Sequence, residues 1–163
     1  MSILVARLIK KIIAWAHYKS HVYKISQFSG ISKKANIGIN CILNIPANNL
    51  FIGDYTYLNE AHLSAGQTSR VIIGQGCAIG YNVSIKAITH SKEKPTNNQS
   101  GDIQYIEKDI IIGDNCWIGD NVYIREGICL GDNVIVGANS VVTKSFGSNS
   151  IIAGVPAKII NKN

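Results

Sequence analysis

The sequence predicts an all-β chain wound into one parallel solenoid, and three observations lead there. An aliphatic residue returns at every sixth position, at Ile112, Ile118, Ile124, Leu130, Val136 and Val142. Four places after most of these comes a compact residue: Cys116, Val122, Ile128, Val134 and Ser140. The same beat runs upstream through Ile31, Ile37 and Leu43, then Ile52 and Leu58, then Ile73, Ile79 and Ile85, with Ala35, Cys41, Thr56, Cys77 and Val83 in fifth slots. Such a period suits neither an amphipathic helix nor a long alternating strand, whereas short strands joined by tight turns and stacked coil on coil satisfy it.

Before the first hexad, residues 1–24 read as an amphipathic helix. Ile3, Leu4, Leu8, Ile12 and Trp15 recur at helical spacing beside Arg7, Lys10 and Lys11. The segment is too short and too charged to span a bilayer, and it lacks the apolar core and cleavage site of a signal peptide. Two roles compete for it: a cap over the open end of the solenoid, which every solenoid needs, and a peripheral contact with an anionic membrane. The cap is the favoured expectation. Residues 1–53 hold seven Lys and Arg and no acid, while the rest of the chain nets minus one.

Residues 25–163 form the solenoid domain. With 46% hydrophobic residues over 163, the chain has apolar material for one continuous core. Cys41, Cys77 and Cys116 occupy fifth slots and read as buried, reduced thiols; Cys129 falls in a sixth slot and is more exposed. Asp54, Asp114, Asp120 and Asp132 follow the glycine of a hexad, as turn residues do.

The beat stops between Ala87 and Asp109, where THSKEKPTNNQSGDIQYIEK brings turn and polar residues. A loop over 91–109 is therefore expected, and long excursions from compact domains usually serve function. In the row that starts at Ile85, Thr89 takes the inward fifth slot and His90 the outward sixth. Trp117 and Tyr57 hold the same outward slot in their rows, where a large aromatic needs a subunit or a ligand against it. His62 falls in an inward fifth slot and reads as a packing residue.

These rows, with the closing VVTKSFGSNSIIAGVPAKII, resemble the hexapeptide-repeat acyltransferases over roughly residues 31–160. The resemblance implies a left-handed parallel β-helix with three hexads per triangular coil and a C-terminal cap, in a homotrimer whose sites lie between subunits. It is nearest to the sugar and polysaccharide O-acetyltransferase branch, whose catalytic histidine precedes a projecting loop, as His90 does here. His90 is accordingly the expected general base, since a neutral imidazole can take the proton of a sugar hydroxyl that attacks acetyl-CoA. YTYLNEAHLSAG resembles the acceptor segment of the family, with Tyr57 and Asn59 at the positions that face the sugar. Trp117, Ala138, Thr143 and Lys144 match the groove for the pantetheine arm, and Lys158 of AGVPAK matches a base that meets nucleotide phosphates. Glu60 and Glu93 are candidates for orienting His90.

The chain departs from the maltose and galactoside branch, which often has proline where this chain has Ser91. Its excursion is also longer and its N-terminal segment different. Those departures favour a bacterial glycan under assembly, a capsular, exopolysaccharide or lipopolysaccharide unit, acetylated in the cytoplasm. An N-acetyltransferase of an amino sugar is the alternative, and a non-catalytic scaffold a further one. A zinc carbonic anhydrase on the same fold needs three convergent histidines; only His62 and His90 lie in the solenoid, so no metal is expected. Nucleic acid is not expected, since the basic segment carries no binding motif.

Overall fold

The computed structural model describes residues 3–91 and 104–162, together with all side chains in that span but that of Lys162. The residues form a parallel β-solenoid preceded by one helix. Trp117 pairs with Ile135 and Tyr123 with Val141, each eighteen residues on, so one coil takes three hexads and has three faces. Upstream coils are slightly longer: Asn36 pairs with Tyr57, and Tyr57 with Ala78. The step from Ala78 to Trp117 spans one coil together with the excursion.

Aliphatic first slots stack into three columns that fill the prism. Leu58, Ile79, Ile118, Val136 and Ile152 line the first face. Leu43, Leu63, Ile85, Ile124 and Val142 line the second, and Ile52, Ile73, Ile112 and Leu130 the third. All of these are buried, as are the compact residues of the fifth slots from Cys41 to Ser140. The thiols of Cys41, Cys77 and Cys116 are free and buried, and Cys129 is exposed. Cys116 donates its backbone N–H to Cys77 Sγ at 3.4 Å, and the hydrogen bond between the two thiols, with burial, pushes the Cys116 thiol well up.

The G-D-N corners, and the G-A-N corner at Gly137, have a physical cause. Asn115, Asn121, Asn133 and Asn139 all sit at φ of 55–60°, a left-handed conformation that asparagine tolerates better than most side chains. The aspartates do more than close their own turns. Asp114 accepts the backbone N–H of Gln75 at 2.9 Å, Asp120 that of Tyr81 at 2.8 Å, and Asp132 that of Asp114 at 2.8 Å, tying each corner to the next coil.

Two expectations are corrected. A β-bulge between Glu60 and Ala61 shifts the frame by one residue, so Ala61 is buried while His62 turns outward and is half-buried. There Asn44 Nδ2 contacts His62 Nε2 at 3.3 Å. The N-terminal helix, Ile3–Ser26, runs past residue 24 and does not cap the coil: none of its residues is buried. Only its last turns touch the solenoid, where His21 Nε2 donates to the Ile37 carbonyl at 2.9 Å and Ile25 packs on the core. Phe28 is the buried side chain that closes this end. Among the described residues, no helix is long and apolar enough to cross a membrane.

Candidate functional site

After the buried Ala87 the chain leaves the coil at the edge between the second and third faces. Ile88–His90 then pairs antiparallel with Tyr105–Glu107, with His90 opposite Tyr105. Because the hairpin has already started, Thr89 is half-buried beside the coil and does not fill an inward slot. Residues 92–103 of the expected loop, and with them Glu93, lie outside the described residues.

Two carboxylates rivet the base of the hairpin. Glu107 Oε2 accepts the backbone N–H of Thr68 at 2.7 Å, its hydroxyl at 2.7 Å and the N–H of Ser69 at 3.1 Å. Asp109 accepts the Arg70 backbone N–H at 2.7 Å and its guanidinium at 3.0 and 2.6 Å. The Thr68 hydroxyl and amide hold Glu107 below its usual range, and the Arg70 guanidinium holds Asp109 below its own. A carboxylate depressed in the folded state contributes stability that is present above its unfolded pKa of about 4 and is lost as pH falls through the lower folded value. Acidification below about pH 4 should therefore loosen this hairpin before the coils, read as a fall of about tenfold in amide protection at 88–91 and 104–107. Glu107→Gln should reproduce much of that loosening at neutral pH; equal protection in both proteins would refute the role of Glu107.

His90 is exposed at the hairpin end, its ring centroid 5.0 Å from that of Tyr105 with the planes tilted by 33°. It stands between two adjoining clefts. One, of about 430 Å³, is lined by Thr89, His90, Ser91, Ile106, Tyr123, Arg125 and Glu126. The other, of about 350 Å³, shares Thr89, His90 and Tyr123 and adds Lys86, Ile88 and Tyr105. Glu126 is only 7% exposed and is ion-paired with Arg125. Burial pushes its carboxyl up, but the Arg125 guanidinium and a backbone N–H outweigh this and leave it below its ordinary value. Burial also pushes the Lys86 ammonium down. An accessible imidazole on an aromatic ring, with two cations in reach of the same clefts, can take a proton from a polar substrate and hold it against water.

Lys86, Tyr105, Tyr123, Arg125 and Glu126 complete a site of which the sequence reading named only His90. Tyr123 was legible, because it holds the outward sixth slot that Tyr57 and Trp117 also hold. Glu60, offered as a partner for His90, is exposed at the bulge and lines neither cleft.

The remaining candidates sort onto two edges of the prism. Tyr57 and Trp117 project from the first face, both in register with Ala78, so a small residue separates two aromatics that are 44% and 59% exposed. Asn59 and Ala138 follow at the edge between the first and second faces. Lys158 lies beyond, opposite Ala153 in the terminal antiparallel hairpin. Thr143 and Lys144 occupy the other edge, the one that carries His90: the pairing of Ile124 with Val142 puts them one coil past Arg125 and Glu126. None of Tyr57, Asn59, Trp117, Ala138, Thr143, Lys144 or Lys158 lines the His90 clefts. Among the described residues, no three His, Cys, Asp or Glu side chains converge as a metal site would require.

Residues 109–144 match the family model described as bacterial transferase hexapeptide (six repeats). A Dictyostelium discoideum protein, provisionally described as an acetyltransferase, is 41% identical over 114 residues, 70% of this chain. The chain spans 58% of that relative's length. Among solved structures, a maltose O-acetyltransferase from Clostridium difficile is similar with a TM-score of 0.70 and 29% identity, over 89% of this chain and 75% of that one. A galactoside acetyltransferase in complex with coenzyme A is similar with a TM-score of 0.69 and 29% identity, over 81% of this chain and 64% of that one.

Proposed function

From the premise that this chain belongs to the hexapeptide-repeat transferase family, we propose that it carries an acetyl group from acetyl-CoA to a hydroxyl of a saccharide, with His90 as general base. The exposed His90 imidazole at the mouth of two adjoining clefts carries the reading. His90 removes the proton of the acceptor hydroxyl as its oxygen takes the acetyl group, and returns that proton to the departing sulfur, so the imidazole ends neutral. Tyr105 backs the ring and fixes its position. Acetyl-CoA, when bound, supplies the activated acetyl group as a thioester.

The residues present suit such a donor. Trp117 and Ala138 offer an apolar wall and a small residue for a slender arm, and Thr143 a hydroxyl. Lys144 and Lys158 are exposed cations without an acidic partner among the described residues, as anionic phosphates require. Tyr57 and Asn59 take the acceptor, whose hydroxyl the Asn59 amide can orient. The longer excursion and Ser91 favour a glycan unit under assembly in the cytoplasm.

The division between two edges supports a homotrimer. His90, Thr143 and Lys144 lie on one edge of the second face, and Tyr57, Asn59, Trp117, Ala138 and Lys158 toward the other. One complete site then needs the edges of two subunits, and three copies close the ring. The test is complementation. Asn59→Ala and His90→Ala proteins should each be inactive alone, whereas trimers reassembled from an equal mixture should regain up to about a quarter of wild-type turnover, because some interfaces then carry both native halves. Mixed trimers as dead as their parents would refute the shared site. Acetyl-CoA consumption against neutral sugars, amino sugars and oligosaccharides, with product mass read for oxygen or nitrogen, tests the reaction itself.

A further inference from the structure

We propose that the N-terminal helix docks this protein on an anionic membrane surface, lying in the plane of the headgroups. The helix Ile3–Ser26 touches the solenoid only through its last turns and buries none of its side chains. At about 100° per residue, Leu4, Val5, Leu8, Ile9, Ile12 and Ile13 share one half of its circumference. Each of these side chains is 43–79% exposed, so over residues 4–15 this half of the helix is a broad exposed apolar face, with Lys19 falling on the same half further along. Trp15 joins its rim, as an indole suited to the boundary between acyl chains and headgroups does.

Charge decides what covers it. Arg7 and Lys10 lie opposite the apolar face and Lys11 flanks it, and the helix has no acidic residue anywhere along its length. No acid occurs before Asp54. A helix is about 10–12 Å across, close to one screening length at physiological salt, so even the far-side cations feel a negative surface beneath the apolar face. A second copy of the helix fits worse. An apolar half-circumference is wider than the narrow seam of a coiled coil, and flanking positions in a self-pairing would set cation against cation. Crossing the bilayer does not suit this helix, because Arg7, Lys10, Lys11, Lys19 and Lys24 leave it without a sufficiently apolar stretch.

The inference stands apart from acetyl transfer, and its test needs no acceptor. The full chain is sedimented with phosphatidylcholine vesicles, with and without phosphatidylglycerol, while oligomer mass is measured without lipid. The bound-to-free ratio should be at least about tenfold higher on the anionic vesicles and should fall as salt rises. Leu8→Glu with Ile12→Glu should abolish binding and leave the strand signal and oligomer mass unchanged, because both side chains are exposed. Lys10→Glu with Lys11→Glu should lose the anionic preference. Wild-type protein that ignores both vesicles would overturn the proposal. So would an oligomer that dissociates on Leu8→Glu with Ile12→Glu, which would assign the apolar face to a second copy.

Discussion

His90→Ala should lower acetyl transfer by about 10²–10⁴-fold, the range that a positioned general base contributes. A hydroxyl is a poor nucleophile until its proton is taken, and among the described residues His90 is the only imidazole lining either cleft. Its exposure predicts that the loss is purely kinetic. The ring supports no buried neighbour, and the hairpin beneath it is held by Glu107 and Asp109 through backbone and side-chain donors of Thr68, Ser69 and Arg70. The variant should therefore keep its oligomer mass and its affinity for coenzyme A, with the change in kcat. Turnover within about threefold of wild type would remove His90 from the mechanism.

Ile79→Ala should cost about 2–5 kcal/mol of stability, the second large effect. Ile79 is fully buried and in register with Leu58 on one side and Ile118 on the other, at the middle of the first-face column. Each coil of a solenoid leans chiefly on its neighbours, so a cavity here weakens two interfaces between coils at once. Flanking coils are held by ladder hydrogen bonds, such as Ala78 N to the Cys116 carbonyl at 2.8 Å, and cannot collapse to fill it. Urea unfolding at fixed protein concentration checks this, with Ile111→Ala as the control. Ile111 faces outward at 40% exposure and should lose much less. Equal losses would mean that the column does not carry the fold.

What could be read in advance follows the repeat. Inward slots such as Ile118 and Val134 are legible because a six-residue repeat allows one answer for where those side chains go. His62 broke that rule because the row after Leu58 is one residue short of a hexad: Glu60 pairs with Tyr81 and Ala61 with Val83, Asn82 is the extra residue on the partner strand, and Leu63 takes the next inward column. Glu126 was missed for another reason. It occupies a corner position like those of Asp114 and Asp132, which are half-buried and exposed; its burial and its pairing with Arg125 come with the hairpin and the cleft it forms over this corner.

The sequence by itself determined the solenoid, its core columns and the outward slots of Tyr57 and Trp117, because each depends on spacing within a coil. Only the tertiary structure decided that the helix meets the coil end with its last turns alone, that Lys86, Tyr123, Arg125 and Glu126 gather round His90, and that the other candidates divide between two edges. Those facts depend on which coils become neighbours and on where the chain leaves the stack, and residues 39 positions apart in sequence meet there with nothing local to announce it.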